Sequence, residues 1–431
     1  MKNSIKEKEK EDVSIELNNN NGQVFAKSIA EQSEISLSNL KAVGAEADDR
    51  KEIRIAIAGV GNCASALIQG LQYYKEIREK DMYINGLMNP SVGGYLPKHI
   101  KVVAAFEINK LKIGKDISEA IYEDPITAPF FVKPENYPKT GVLISTGPVL
   151  DGCAEHMQDR FHVYQSEEFG VPGWETEEEL QEWSRRVVKI LKDAQAEIIV
   201  NYCPVGSYKA SRFYAQAALD AGCGFINCIP EFIVSEQIEG DKDWAAEFEK
   251  RGLPCAGDDI KSQVGATIMH RMLAKLFLDR GVIVKDTYQL NIGGDTDFEN
   301  MKQESRLVTK RRSKTEAVTS ELPYQTKCRI GPSDFVPFLL GKKICYIRMN
   351  GVTFGGLPLE VDVKMRVEDS GNSAGVVLDI IRVMKLALNR KISGRLEAIS
   401  SFSFKHPHIQ PASDFLAKQW VAEFMEGKRN R

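Results

Sequence analysis

The stretch ESRLVTKRRSKTEAVTS, Glu304 to Ser320, sets Lys310, Arg311, Arg312 and Lys314 within five positions of a chain whose formal net charge is -3. Cations packed this closely can form a solvated helix face, bind a nucleic acid, or hold a charged small molecule and the oxyanions that form on it. The run lacks interleaved aromatics and the chain is not basic overall, which speaks against nucleic acid. Four residues apart, Lys310 and Lys314 share one face of any helix formed there. A second candidate is GVGNCA, which spaces Gly59, Gly61 and Ala64 as G-x-G-x-x-A. The first glycine allows a tight turn, and the second lets a pyrophosphate approach the backbone. The small third residue lets helix and strand pack closely. Asn62 and Cys63 then open a helix whose free N–H groups suit phosphate.

These residues need a scaffold. Apolar runs of strand length cover Ile53–Ala58, Ile100–Asn109 and Gly141–Thr146, and others recur in EIIVNYCPVGS, FINCIP and PCAGDD. Helical patterns separate them, among them Thr176–Ala194 and a helix running through Leu219. Alternating apolar strands and helices predict a parallel sheet covered on both faces. Glu107 closes the second strand, where a carboxylate can accept hydrogen bonds from the adenosine ribose and repel the extra phosphate of NADP; the alternative is a solvated strand-end carboxylate. Two later turns, STGP (Ser145, Thr146, Gly147, Pro148) and CPVGS (with Pro204), lie at strand ends and are expected to line a cofactor.

Beyond Asp259 the texture changes. A helix over Gly265–Asp279 leads into DTYQLNIGG, ICYIRMNGV and LEVDVKMRVED, whose period of two predicts an antiparallel sheet buried on one face. Helices are expected over Ser373–Leu388 and from Ala412. The fold class is therefore α/β: a Rossmann-type, doubly wound parallel sheet with a second α+β domain carrying an antiparallel sheet. The expected organisation is a polar, disordered extension over 1–50, with a short helix near Ala26–Leu40. A dinucleotide-binding domain follows over 51–260, completed by 370–431, with a catalytic and oligomerisation domain over 261–369.

Composition narrows the function. At 431 residues the chain can bury a large core. No apolar run is long enough for a bilayer. The N-terminus has no apolar segment after its first basic residues, as a secretory signal would. Eight cysteines without a CxxC pair read as free thiols. A cytoplasmic protein is expected, with no nucleic-acid or membrane partner.

Taken in order, AIAGVGNCASALIQG, NYCPVGS, GDDIKSQVGAT, QLNIGGDTDF, SKTEAVTS, IGPSDFVPFL, EDSGNSAG and SSFSFKHP resemble the myo-inositol-phosphate synthase family in its shorter prokaryotic form. The resemblance spans about 53 to 407 and excludes the polar extension. It implies NAD as cofactor and D-glucose 6-phosphate as substrate. Substrate C5 is oxidised, the C6 enolate closes on the C1 aldehyde, and the inosose phosphate is reduced again to 1D-myo-inositol 3-phosphate. It also suggests a homotetramer built through the antiparallel sheet.

The same resemblance implies a catalytic set of Lys310, Lys314, Lys343, Lys405 and Asp259, with Lys261 as a further candidate. Lys342 competes with Lys343 for the match. A lysine set suits a pathway that develops negative charge at C5 and C1 on a phosphorylated sugar. Clustered ammonium groups lower one another's pKa, so one can serve as a base. Asp259 is implied near cofactor and substrate. Asp369 is implied near the nicotinamide, with Ser373, or near a mono- or divalent cation. Asp369 and Ser370 also suit capping of the helix that follows, and Gly371 stands where the family commonly has proline. Two other readings stay open: a conventional NAD-dependent dehydrogenase with net hydride transfer, and an NAD-binding regulator without chemistry.

Overall fold

A computed structural model describes residues 51–431. The polar extension and the helix expected near 26–40 lie outside the described residues. Strand β1 (Ile53–Ala58) turns into helix α1 (Asn62–Tyr73), and β2 (Ile100–Glu107) and β3 (Ser145–Thr146) follow. Next come α2 (Glu177–Asp193), β4 (Ile198–Asn201), α3 (Tyr208–Ala221), β5 (Gly224–Asn227) and β6 (Pro254–Ala256). The middle of the chain holds α4 (Ala266–Asp279), β7 (Ile283–Gly293), α5 (Thr296–Asn300), α6 (Val308–Thr319), β8 (Lys327–Phe335), β9 (Lys342–Val352) and β10 (Pro358–Glu368). It ends with α7 (Asp369–Asn389), β11 (Gly394–Arg395), α8 (Glu397–Ser403) and α9 (Asp414–Met425).

The first sheet is parallel throughout, ordered β11-β6-β5-β4-β1-β2-β3. Strand order reverses beside β1, so a crevice opens between the carboxyl ends of β1 and β4. Both faces of the sheet are covered, which is why β1 reads as a nearly unbroken apolar run. On one face Ile55 and Ile57 pack with Leu67 of α1 and with Val377, Ile380 and Met384 of α7. On the other, Ala56 and Ala58 pack with Val187 and Leu191 of α2 and Phe225 of β5. Burying each large side chain of this kind is worth about 1.5–3 kcal/mol. Residue 370 onward thus contributes α7 to the core of the first sheet. Helix α2 starts where sequence placed it, because the Thr176 hydroxyl accepts from the Glu179 N–H. No helix among the described residues is long and apolar enough to cross a membrane.

The second sheet is ordered β10-β9-β7-β8. It departs from the antiparallel expectation: β7 pairs with β9 and β9 with β10 antiparallel, but β7 and β8 run parallel. A parallel pair needs a crossover, and here the crossover is α5 followed by α6, the segment that holds Lys310 and Lys314. The alternation in β7 turns Thr287, Gln289 and Asn291 inward, where His270 of α4 bonds to Thr287 and Gln289. Two other boundaries differ: the third strand is only Ser145–Thr146, and helix α7 begins at Asp369. After α8 a β-bridge joins Ile260 and Phe404.

Candidate active site

One cleft opens at the carboxyl ends of β1 and β4, and the glycine turn forms its floor. Gly59 has φ +89°, and a Cβ there would lie 2.8 Å from the Tyr202 carbonyl oxygen, so only glycine fits. At Gly61 a Cβ would meet nothing within 4 Å, so the turn faces open space in the cleft. Asn62 and Cys63 line the cleft, but the Asn62 side chain is also structural. Its Oδ1 accepts from Thr127 and Ala128 N–H at 2.7 and 2.9 Å. Ala64 is fully buried beneath the turn and packs rather than lines. Burial pushes the Cys63 thiol up to about 12, so it is no thiolate nucleophile.

Glu107 is not a solvated strand end. Its Oε2 accepts from Val60 N–H at 2.8 Å and its Oε1 from Ile108 N–H at 2.7 Å. Lys112 donates to the Val60 carbonyl at 2.7 Å, so side chains pin both polar groups of Val60. Pro204 lines the cleft, whereas Ser145, Thr146 and Gly147 do not. A Cβ on Gly147 would lie 2.1 Å from the Tyr214 hydroxyl, and Tyr164 donates to its carbonyl at 2.8 Å. Tyrosines shield that turn, and the wall is formed instead by Pro148 and Gly152–Ala154. Arg306 fastens the same wall to the crossover: Nε donates to Val205 O at 2.8 Å, and Nη2 to Asp151 O at 3.0 Å and Ser207 Oγ at 3.2 Å.

Across the cleft stand Lys310, Lys314, Lys343 and Lys405. Lys310, Ser313, Lys314 and Ala317 form the buried stripe of α6, at the spacing of a helix face. Arg311 and Arg312 point outward to Glu304 and to Glu236 and Glu316. Lys343 reaches the cleft from β9, and its neighbour Lys342 is exposed. Lys405 extends from the segment after α8, whose backbone N–H donates to Asp259 O at 2.7 Å. Asp259 has φ +61°, an uncommon conformation for a non-glycine residue.

Three of the four ammonium groups have a carboxylate. Lys310 pairs with Asp297. Lys343 donates to both oxygens of Asp369 at 3.0 Å. Lys405 donates to Asp259 Oδ1 at 2.7 Å, while Ser313 donates to Oδ2 at 2.5 Å. Lys314 is 3% exposed and has no hydrogen bond or ion pair to any described residue. Burial pushes its pKa down, and the ammonium groups of Lys343, Lys310 and Lys405 push it further, well below the ordinary lysine value. Burial also works against a charged Lys310, but Asp297 and Asp259 more than offset it and hold that lysine above its usual value. For Asp259 and Asp369 burial opposes ionisation, yet their lysines prevail and keep both low. Burial lowers Lys405 as well, although Asp259 counters it. The cleft therefore holds three paired ammonium groups around one amine without a partner.

Two expectations change here. Lys261 does not line the cleft. Its Nζ donates to Ser401 O at 3.1 Å and to Asp414 Oδ1 at 2.9 Å, inside a buried network with Arg271 and Glu321. Asp369 does not cap α7 with its side chain; its carboxylate accepts both hydrogen bonds from Lys343. Among the described residues, no group of three or more His, Cys, Asp or Glu side chains could hold a metal ion. Sequence reading also passed over Asp295 and Asp297, although QLNIGGDTDF contains both. Asp258, beside Asp259, turns away and accepts from Ile233, Val234 and Ser235 N–H, folding the loop that brings Ile229 and Pro230 to the cleft.

Residues 265–370 match the family model for myo-inositol-1-phosphate synthase. That span contains the crossover, β9, and the Lys310, Lys314, Lys343 and Asp369 side chains. An inositol-3-phosphate synthase of Mycolicibacterium smegmatis is 44% identical over 383 residues, 87% of this chain and 98% of that protein. The chain belongs to the inositol-3-phosphate synthase family. Another member, from Corynebacterium glutamicum, is 42% identical over 87% of this chain and 98% of its own length. The crystal structure of a myo-inositol-1-phosphate synthase-related protein from Thermotoga maritima shares the fold. Its TM-score is 0.71 at 23% identity, covering 88% of this chain and all of that one.

Proposed function

We propose that this chain is an NAD-dependent isomerising cyclase that converts D-glucose 6-phosphate to 1D-myo-inositol 3-phosphate. The observation that carries the reading is the lysine set facing a glycine turn across one cleft, three ammonium groups paired and the fourth amine free. The turn fits a dinucleotide: the space before Gly61 is open, and the start of α1 presents free N–H groups. Bound NAD would accept a hydride from substrate C5 and return it later in the same turnover. Gly59, Gly61, Asn62 and Cys63 would hold its pyrophosphate, and Glu107 its adenosine ribose. Pro204, Asp259, Asp369 and Ser373 would bound the remainder.

The neutral Lys314 amine is the group suited to take a proton, either from the C5 hydroxyl or from C6. Lys310 and Lys343 are held in the cationic form by their carboxylates, and with Lys405, paired to Asp259, they are suited to the phosphate and to oxyanions at C5 and C1. Ile229, Val205 and Met157 give the cleft apolar walls, and a low local dielectric strengthens each of these interactions. Assembly as a homotetramer through the second sheet belongs to the same proposal. Tyr288, Leu290 and Tyr346 on its outer face support it, being 37–40% exposed.

The test is incubation of the purified chain with NAD and D-glucose 6-phosphate, followed by phosphorus NMR. An inositol phosphate signal without accumulating NADH is the expected result. Unchanged substrate, or steady NADH formation, would overturn the reading.

A further inference from the structure

Ion pairing around the lysines leaves one aspartate over as well as one amine. Of the five carboxyl groups lining the cleft, Glu107 is held by backbone N–H groups at the glycine turn, and Asp297, Asp369 and Asp259 each have a lysine. Asp295 has none. Its Oδ1 accepts from the N–H groups of Asp297 and Phe298 at 3.0 and 3.1 Å, which anchors the side chain at the start of α5. Its Oδ2 has no hydrogen-bond partner among the described residues. The residue is 5% exposed, so water does little to solvate a charge there. The groups facing it are Asp297 on α5, Asp369 on α7, Lys343 on β9 and the Cys63 thiol on α1. Lys343 is already committed to Asp369 through both oxygens. Two carboxylates and a buried wall therefore oppose ionisation, and one shared ammonium favours it.

Building on the cyclase reading, we infer that Asp295 is a further catalytic residue: it enters as the neutral carboxylic acid and its Oδ2–H donates a hydrogen bond to the substrate oxygen on which negative charge develops. The cleft then presents a neutral amine, Lys314, and a neutral acid, Asp295, built by the same device. Each is surrounded by like charges whose own partners are taken. Burial first, then Asp297 and Asp369, bring the Asp295 pKa up to about 7, which favours the neutral acid. A donor aimed at a developing oxyanion contributes roughly a hundred- to a thousandfold in rate.

The decisive comparison is Asp295→Asn against Asp295→Ala in the full chain with NAD. The asparagine amide still accepts from Asp297 and Phe298 and still donates from the other atom, but it cannot ionise. The asparagine variant is expected to keep kcat within about tenfold of the parent and to lose the alkaline fall of kcat/KM that the parent shows above neutrality, while the alanine variant loses at least about a hundredfold. A structural role would lower the melting temperature of both without changing the pH profile. An asparagine variant that folds, binds NAD and yet loses a hundredfold would show that the ionised carboxylate is needed and overturn the inference. So would an unchanged alkaline limb. Carbon-13 NMR of carboxyl-labelled aspartates in the NAD-loaded protein, with Asp295→Asn assigning the signal, gives a readout independent of turnover. A midpoint near neutrality supports the inference, and a carboxyl ionised at every pH above 5 overturns it. If the parent makes no inositol phosphate, the cyclase reading fails by itself, and the NMR midpoint still decides the state of Asp295.

Discussion

Replacing Lys314 by methionine should stabilise the protein and stop its chemistry, whereas the same change at Lys405 should do harm on both counts. The two side chains are of one type and line one cleft, so the difference isolates the effect of pairing. Lys314 has no acceptor to lose, and Met refills most of its volume. Its pKa is depressed in the folded chain, by burial and then by Lys343, Lys310 and Lys405. The sign follows from linkage: at pH 7 the unfolded lysine is protonated and the folded one resists protonation. The unfolded state therefore binds more protons, and the residue costs stability at every pH below its unfolded value. A downward shift of each pKa unit costs about 1.4 kcal/mol, so Lys314→Met should gain stability at pH 7. That gain should shrink as pH rises toward 10. Lys405→Met instead strands Asp259, which is 3% exposed, with Ser313 and the more distant Lys310. Removing one partner of a buried pair costs about 3–5 kcal/mol. Urea unfolding of both variants at pH 7 and pH 9, with turnover followed by phosphorus NMR, reads both effects. A Lys314→Met protein destabilised by more than about 2 kcal/mol would mean that the amine is charged and solvated or paired, and the assignment of the base would fall with it.

Other substitutions test other parts of the site. Gly61→Ala should fold and melt like the parent yet bind NAD at least tenfold more weakly, whereas Gly59→Ala should also lose stability because its Cβ meets Tyr202 O at 2.8 Å with φ at +89°; equal NAD affinity in titration calorimetry for Gly61→Ala would refute the placement of the dinucleotide. Arg306→Lys keeps the charge but cannot make all three bonds to Val205, Asp151 and Ser207, so NAD should bind several-fold more weakly with the pH profile of kcat unmoved; unchanged NAD affinity and melting temperature would remove Arg306 from the wall. Burial holds His270 at about 4 against an ordinary 6.5. Between those values the unfolded state alone takes the proton, so acidification from pH 7 to pH 4 should cost the parent about 3 kcal/mol that His270→Gln does not lose. Parallel pH–stability curves for the two would show that His270 is protonated in the folded chain.

Much of the scaffold was legible because parallel strands buried on both faces announce themselves. IRIAIA and IIVN could only be central strands, and the Gly59 turn carried its own steric reason. The second sheet was legible in its alternation but not in its strand direction. β8 lies parallel to β7 because a helical crossover separates them, and nothing in the period-two pattern of either strand encodes what the connection does. That same crossover hid the site. Lys310, Ser313, Lys314 and Ala317 fall at i, i+3, i+4 and i+7, the stripe a helix buries, but periodicity searches look for apolar residues and this stripe is mostly polar. Composition alone therefore favours the solvated reading, which is right for Arg311 and Arg312 on the other face. Lys261 shows the opposite failure. It sits two residues from Asp259 in one motif, yet the backbone conformation at Asp259 sends the two side chains to different places, one to the cleft and one to Asp414.

The pairing pattern also explains why a site so rich in charge can be buried at all. An isolated buried ammonium or carboxylate is costly, and paired groups recover most of that cost through Coulomb attraction and hydrogen bonds. Lys310 with Asp297, Lys343 with Asp369 and Lys405 with Asp259 form such pairs, so these six groups together carry little net charge. The two groups left out, Lys314 and Asp295, then have no route to burial except neutrality. Their charge states follow from the completeness of the other pairs: removing any one ammonium eases the pressure on Lys314, and removing Asp297 or Asp369 eases it on Asp295. On this account Lys343→Met should disturb acid–base behaviour beyond its own contact, raising the pKa of Lys314 by relieving repulsion while freeing Asp369 to push Asp295 further up. A cation set that merely screened the substrate would show no such coupling.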